Sequence, residues 1–442
     1  MRIERSKAVS DRIAASIRSG ELPAGTRLPT HRELARKHGI ALATATKAYR
    51  ELADAGLTVG ERGRGTFVRD LSGFAGPDAR RIPVTDRVAD LSFNQPLAEE
   101  QPLALRRALR ELASEGDLAS LLRQSPPGGH MRERAAVATY LLGRGIDVPP
   151  ANVVLTNGAQ HGLDTALATV ARPGAPLALD SLTYPGVKLV AQLRHLDLVP
   201  VRCGTDGTDL DALEALCRSR RVSAAYLMPT LHNPLGFVLD TSARERVTEL
   251  ARAYDFCLVE DATYAFLDAA AAPALQALAP ERTFYVGSFS KNLAPGLRIG
   301  YLVVPTSHLD AVSRVLRATS WGVDTVASAL VTRWLTDGTV HAMESARRAD
   351  ARVRQKAAVH ELADLGYRAH PCAYHGWLAL PDDARGDLVA RTLAERGVLV
   401  STGDAFATSP ERANALRLAL ATPSMEQLTR GLSIVREVVG FA

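Results

Sequence analysis

SFSKNLAPGLRIG, residues 288–300, follows the apolar run TFYVG (283–287) and sets Lys291 just past the end of what reads as a β-strand, with Arg298 seven residues on. In open α/β sheets, groups that hold ligands gather at the carboxyl ends of the strands. Three other polar motifs fall at the same kind of place. TNGAQ (156–160) follows a strand and opens a helix, so its backbone N–H groups and the helix N-terminus suit a phosphate. LHNPLG (231–236) follows AAYLMP, and EDATY (260–264) closes the strand FCLV. Taken singly, such motifs say little: a lone lysine is usually surface charge and Asn-Pro usually a turn. Their order along the chain carries the reading.

Working outward, apolar runs at 152–156, 176–180, 197–202, 223–228, 256–260, 283–287 and 299–304 read as seven strands. Helical patterns at 159–171, 209–218 and 241–254 alternate with them, which predicts a large α/β domain with a mostly parallel sheet. After Pro305 the pattern turns helical, then mixed from Leu362 to Ala442. This predicts a small C-terminal subdomain, joined by residues 89–115.

The first seventy residues differ in charge and in pattern. They hold 14 Lys+Arg against 8 Asp+Glu, whereas the whole 442-residue chain has 53 against 48, so the entire basic excess lies here. That asymmetry points to a polyanion-binding module on a near-neutral body. Ile3, Val9, Ile13 and Ile17 mark a first helix. THRELARKHG (30–39) has Thr30 three residues before Glu33 as a capping box and Gly39 as a stop. A third helix spans Leu42 to Ala55, and LTVGERGRGTFV (57–68) reads as a β-hairpin around a Gly/Arg turn. Three helices and a basic hairpin make a winged helix-turn-helix, with the third helix suited to the major groove. DLSGFAGPDARRIPVTDRV (70–88) lacks periodicity and reads as a linker. The predicted organisation is therefore 1–70 winged helix, 71–88 linker and 89–442 α/β body.

Composition narrows the class further. With 46% apolar and 23% charged residues the chain suits a cored protein, not a disordered one. Cys203, Cys217, Cys257 and Cys372 are scattered with no CxxC, so neither a metal nor a disulfide framework is expected. No apolar run has the length of a membrane span, and the N-terminus lacks a signal-peptide core. The expected setting is the cytoplasm.

Two resemblances sharpen these readings. The pattern G-x-x-x-x-G-x-x-LP-x-x-R-E-L-A, then A-Y-x-E-L-x-x-x-G-L and G-x-G-T-F-V, resembles the DNA-binding domain of GntR-family repressors across residues 1–69. The resemblance implies an operator-DNA interface formed by Thr30, Arg32, Thr44, Thr46, Lys47, Arg50, Arg62, Arg64 and Gly65. Ala41 and Leu42 stand where the family usually opens its recognition helix with Ser-Arg, so a helix cap and a base-reading arginine are replaced. The four motifs of the body resemble the fold type I pyridoxal-phosphate enzymes, the aspartate-aminotransferase superfamily, across residues 90–442. By that resemblance Lys291 forms the aldimine with pyridoxal 5′-phosphate and Asp261 pairs with the pyridine nitrogen. Asn233 and Tyr264 bond the ring's phenolic oxygen, and Tyr184 stacks on the ring. Gly158, Ala159, Ser288, Ser290 and Arg298 form the phosphate cup. Arg417, in NALRLALATPS (414–424), binds an amino-acid carboxylate. Gln124 occupies the place of a family tyrosine that reaches the partner subunit's phosphate. A GntR-type winged helix ahead of an aminotransferase-like body is the layout of MocR/GabR/PdxR-type regulators. That resemblance implies a homodimeric transcriptional regulator sensing the cofactor, an amino acid or an amine. The competing reading is an amino-acid aminotransferase with an accessory DNA-binding domain.

Overall fold

A computed structural model describes residues 2–18, 21–23, 26–54, 57–61, 65–68, 89–96, 101–115, 118–382, 384–409 and 413–440. The expected linker, 71–88, and the wing arginines Arg62 and Arg64 lie outside the described residues.

The N-terminal unit has helices Arg2–Arg18, His31–His38 and Leu42–Asp54, followed by the antiparallel strands Thr58–Glu61 and Gly65–Val68. The second helix starts where its sequence says it should. Thr30 accepts from the Glu33 N–H while Glu33 reaches back to the Thr30 N–H at 2.7 Å, and Gly39 ends the helix in the left-handed conformation at φ 60°. The third helix opens on a bare backbone, with Thr44 and Ala45 donating to the Ala41 carbonyl. Leu34, Ala45, Ala48, Tyr49 and Leu52 fill a small core closed by Val68 of the hairpin.

The body is built on a seven-stranded sheet in the order Val153–Thr156, Gly300–Val303, Thr283–Ser288, Cys257–Asp261, Ala224–Leu227, Pro176–Asp180, Asp197–Val201. Gly300–Val303 runs antiparallel to both neighbours, and the other pairings are parallel. Helices cover both faces, so strands such as VVLT are buried at every position. Side chains alternate between two apolar layers: Leu302 enters one, and Tyr301 and Val303 the other. Asp209, Asp240 and Asp324 each cap a following helix by accepting a backbone N–H.

A second, five-stranded sheet has the order Tyr367–Arg368, His375–Ala379, Ala415–Ala419, Val398–Thr402, Ala89–Leu91. It forms the small subdomain together with helix Met425–Gly440. The 24-residue helix Thr339–Leu362 links the two, placing Ala351 in the large core and Ala358 and Leu362 in the small one. Residues 89–115 divide, contrary to the expectation that they join the small subdomain together. Ala89–Leu91 does join it, as an edge strand. Helix Gln101–Glu115 instead lays Leu105, Ala108 and Leu112, at helical spacing, on a core cluster of the large domain. The winged helix meets the small subdomain where the Arg385 guanidinium lies 4.4 Å from the centroid of the Phe67 ring. Among the described residues no helix is long and apolar enough to cross a membrane.

Candidate functional site

Strand ends converge at the large sheet's carboxyl edge. Asp261 closes its strand on the same face as Val259 and is buried, so burial raises its carboxyl pKa above the ordinary value. Two donors offset part of that cost: the Tyr226 hydroxyl at 2.8 Å on Oδ2 and the Thr263 N–H at 3.0 Å on Oδ1. Tyr226 comes from the neighbouring strand, and no sequence signal singled it out.

Lys291 sits three residues past Ser288. Burial, together with the cations Arg417 and Arg298, lowers its pKa to about 7, so near neutrality much of it is the free amine that carbonyl chemistry needs. Its Nζ donates to the Asn94 carbonyl at 2.5 Å. The following residue anchors its loop: Asn292 donates to Glu344 at 2.7 Å, and Glu344 also accepts from Tyr140 and Arg144 at 2.5 and 2.8 Å. Arg417 points in from the small subdomain, 5% exposed. Its Nη2 donates to the Ser92 carbonyl at 2.5 Å and to Ser401 at 3.3 Å, while its Nε has no partner.

The cup residues come together around a tight turn. Gly158 has φ 78° and caps helix Ala159–Val170; a Cβ there would lie 3.0 Å from Arg298 Nη2. Only glycine combines that φ with so close an approach. Its own N–H goes to the Thr156 carbonyl, so Ala159 is the member of the pair whose N–H lies in the helix's first turn, where no intrahelical acceptor exists. Ser288 accepts from the Ser290 N–H at 3.1 Å, and the Ser290 hydroxyl is buried without a partner.

Tyr184, Tyr264 and Asn233 complete the pocket. Burial pushes Tyr184 up to about 12, and the charges of Asp261, Arg298 and Arg417 all reach it. Its hydroxyl donates to Gln160 at 3.3 Å. The Tyr264 hydroxyl accepts from Asn94 Nδ2 at 3.3 Å, and Asn233 Oδ1 is buried and unpartnered. Gln124 is exposed on the surface.

The donor set can be tested against a cofactor. A helix first turn, two serines and a guanidinium suit a phosphate. A buried carboxylate suits a protonated pyridine nitrogen, and a neutral lysine amine suits an aldehyde. The unpartnered Ser290 Oγ, Asn233 Oδ1 and Arg417 Nε are polar atoms for which such a ligand would supply partners. These residues fit pyridoxal 5′-phosphate with an amino-acid carboxylate beside it.

On the winged helix, Arg32, Lys47 and Arg50 are exposed and Thr44 is half-buried. Thr30 serves as the helix cap described above. Gly65 has φ 121°, and a Cβ there would meet Arg27 Nε at 3.0 Å. Thr46 differs from its expected role on the reading face. Its hydroxyl donates to the Leu42 carbonyl at 3.0 Å and pairs with His31 Nδ1 at 3.1 Å, because the third helix turns that side towards the second.

The fold and site together define a pyridoxal-phosphate-type aminotransferase body behind a winged helix, and comparison with known proteins agrees. The family "Aminotransferase class I and II" matches residues 86–435, and "Bacterial regulatory proteins, gntR family" matches residues 5–68. This chain belongs to the aminotransferase class I and II family, and its GntR-type winged helix is a DNA-binding domain. It is similar from end to end to the uncharacterized HTH-type transcriptional regulator YdeF of Bacillus subtilis, with 27% identity over 98% of this chain and 94% of that one. The HTH-type pyridoxine biosynthesis transcriptional regulator PdxR of Corynebacterium glutamicum is 26% identical over 89% of this chain and 86% of its own. The 2-aminoadipate transaminase of Thermus thermophilus is 30% identical over 79% of this chain and 90% of its own. Among solved structures, LysN of Thermus thermophilus, an α-aminoadipate aminotransferase complexed with N-(5′-phosphopyridoxyl)-L-leucine, superposes with TM-score 0.74 at 26% identity, covering 84% of this chain and 97% of that one. The chain is thus a helix-turn-helix transcriptional regulator of the PdxR type with an aminotransferase-class cofactor domain.

Proposed function

We propose that this regulator, of the MocR type, binds pyridoxal 5′-phosphate through Lys291 and changes its hold on operator DNA when an amino acid or amine joins the cofactor. The observation that carries the proposal is the meeting of half-buried Lys291, its pKa lowered to about 7, with buried Arg417 and Asp261 in one pocket of a chain that also carries a DNA-binding domain.

When bound, the cofactor supplies an aldehyde and an electron-withdrawing ring. Lys291 offers a neutral amine to the aldehyde carbon. Asp261, held by Tyr226 and Thr263, keeps a proton on the ring nitrogen. Asn233 and Tyr264 would bond the phenolic oxygen, and the Tyr184 ring would shield the cofactor ring from water. Ala159, Ser288, Ser290 and Arg298 would hold the phosphate, with Gly158 making room for Arg298 beside it, and Arg417 would take the carboxylate of the amino compound.

Lys47 and Arg50 on the third helix, with Arg32, Arg62 and Arg64, neutralise operator phosphates, and Thr44 and Lys47 face base edges. The protein acts in the cytoplasm as a homodimer. The exposed Leu118, Leu122 and Met131, on either side of Gln124, leave an apolar surface that a second copy would cover.

Borohydride reduction of the cofactor-loaded protein followed by peptide mapping tests the assignment. Label on the peptide containing Lys291 is expected, and label on another lysine overturns it. Operator titration with and without amino compounds separates the regulator from the aminotransferase reading. Sustained turnover with an unchanged operator affinity supports the enzyme.

A further inference from the structure

Three consecutive backbone carbonyls, those of Ser92, Phe93 and Asn94, are all taken by side chains of the pocket or its wall. Arg417 donates to the Ser92 oxygen at 2.5 Å, and Ser401 donates to the same atom at 2.9 Å. Thr422 donates to the Phe93 oxygen. Lys291 donates to the Asn94 oxygen at 2.5 Å, and its cation lies 4.3 Å from the centroid of the Phe93 ring. The same stretch is pinned from its other side. Asn94 Oδ1 accepts from the Ala421 N–H at 3.1 Å, and the Gln95 N–H donates to Thr422 Oγ1 at 2.9 Å. One short run of chain therefore engages both Lys291 and Arg417.

A carboxylate offers a guanidinium two parallel bonds and an opposite charge, whereas the Ser92 carbonyl offers one bond and no charge, and Arg417 still has an unpartnered Nε. A carboxylate at Arg417 therefore competes well against Ser92. The run also leads somewhere. It continues directly from the edge strand Ala89–Leu91, whose residues 89–91 pair in parallel with 398–400 of the small sheet. The DNA-binding domain is joined to the chain ahead of that strand, and its wing leans on the same subdomain through Phe67 and Arg385.

We propose that Ser92–Gln95 is a strap holding Arg417 in place of the carboxylate of an amino compound, and that its displacement is the event passed to the DNA-binding domain through Ala89–Leu91. The strap rests on the proposed reading of the pocket as a site for pyridoxal phosphate and an amino acid. It adds to that reading the piece of chain that reports occupancy. A ligand shifts a two-state equilibrium only through differential binding, and here the difference is explicit. The carboxylate and the strap compete for the same guanidinium.

The probe is N-(5′-phosphopyridoxyl)-L-leucine, which carries phosphate, pyridine ring and α-carboxylate in one stable molecule. Its binding to the full-length protein is measured by calorimetry, amide hydrogen exchange is followed on peptides covering 89–96, and operator affinity is titrated in parallel. Binding is expected to speed exchange of the 92–95 amides by about tenfold, the equivalent of one lost hydrogen bond, and to shift operator affinity. Thr422→Val removes two holds on the strap without touching Lys291, Arg417 or the cup. It should speed the same exchange with no ligand present and move operator affinity in the direction that the conjugate does, with Thr422→Ser restoring both. Ser401→Ala, which removes the second hold on the Ser92 oxygen together with the 3.3 Å contact from Arg417, replaces it if Thr422→Val does not fold, with Ser401→Thr as the variant that should restore both. Failure of the conjugate to bind overturns the reading of the pocket itself. Binding that leaves exchange at 92–95 unchanged or slower overturns the strap alone. So does a loosened strap whose operator affinity and conjugate response remain those of the unmodified protein.

Discussion

Cations serve both ends of this chain, placed in opposite ways. On the winged helix Arg32, Lys47 and Arg50 stand in solvent, while in the body Arg417 is 5% exposed and Lys291 is packed against Phe93. Exposed charges cost nothing to solvate, act at a distance and are screened by salt. Lys291 loses hydration in the pocket and feels the charges of buried Arg417 and of Arg298 nearer the surface, which is why it drops to about 7. The same residue types thus give one domain that attracts a long polyanion before contact and another that accepts only a small anion of matching shape.

Breaking the buried side should have the largest effect. Lys291→Ala is expected to abolish reducible, covalently held cofactor, read as absence of the yellow absorbance expected of the cofactor-loaded protein, while phosphate-driven binding persists weakly. Next, Arg417→Ala should weaken binding of an α-amino acid to the cofactor-loaded protein by about 10- to 100-fold, the value of ~1.5–3 kcal/mol for a charge-assisted hydrogen bond. Isothermal titration checks this, and an undiminished affinity would place the carboxylate elsewhere. The pH dependence sharpens the contrast. Because the Lys291 pKa is lowered, its amine is protonated below about 7 and free above it, so the rate of cofactor capture should rise through about pH 7. Arg417→Ala removes a cation that depresses that pKa, and the rise should move to higher pH. Tyr226→Phe takes one donor from Asp261 and should weaken cofactor retention several-fold, for about 1 kcal/mol, by equilibrium dialysis. On the exposed side, Arg50→Ala should lower the slope of log affinity against log salt by ~1, nearly equally on operator and random DNA. Thr46→Val should leave operator discrimination as it was, since that hydroxyl already serves Leu42 and His31.

Most of what was legible in the sequence was local or periodic. Seven apolar runs became seven strands of one sheet because burial on both faces demands continuous apolar segments. The Thr30–Glu33 box was visible because both partners lie within one turn. Lys291, Asp261 and Gly158 could be named because each lies at or just past the end of such a run, whereas Arg417, in the middle of Ala415–Ala419, could be named only through the family resemblance. Residues placed only by tertiary packing stayed hidden. Tyr226 looks like any strand aromatic until its neighbour strand brings Asp261 to its hydroxyl. The run Ser92–Gln95 has no motif, and its part in the pocket comes from backbone carbonyls, which every residue has. The direction of Thr46 and the side taken by helix Gln101–Glu115 likewise depended on partners distant in sequence.

The antiparallel strand Gly300–Val303 has a consequence for how this pocket can be altered. Ser288 and Gly300 are directly paired across the ladder, and the Phe289 N–H extends it to the Ile299 carbonyl at 3.0 Å. The segment carrying both Lys291 and Arg298 is therefore a loop clamped shut at its two ends, and its length works as a ruler. Adding a residue would cost little in closure entropy, since even doubling a loop costs only about 0.6 kcal/mol. The protein would still fold, but the amine and the guanidinium would no longer be spaced for one cofactor. For an engineer this makes 288–300 a cassette: replaceable as a whole by an equal-length segment between the same two anchor residues, and intolerant of being stretched from within.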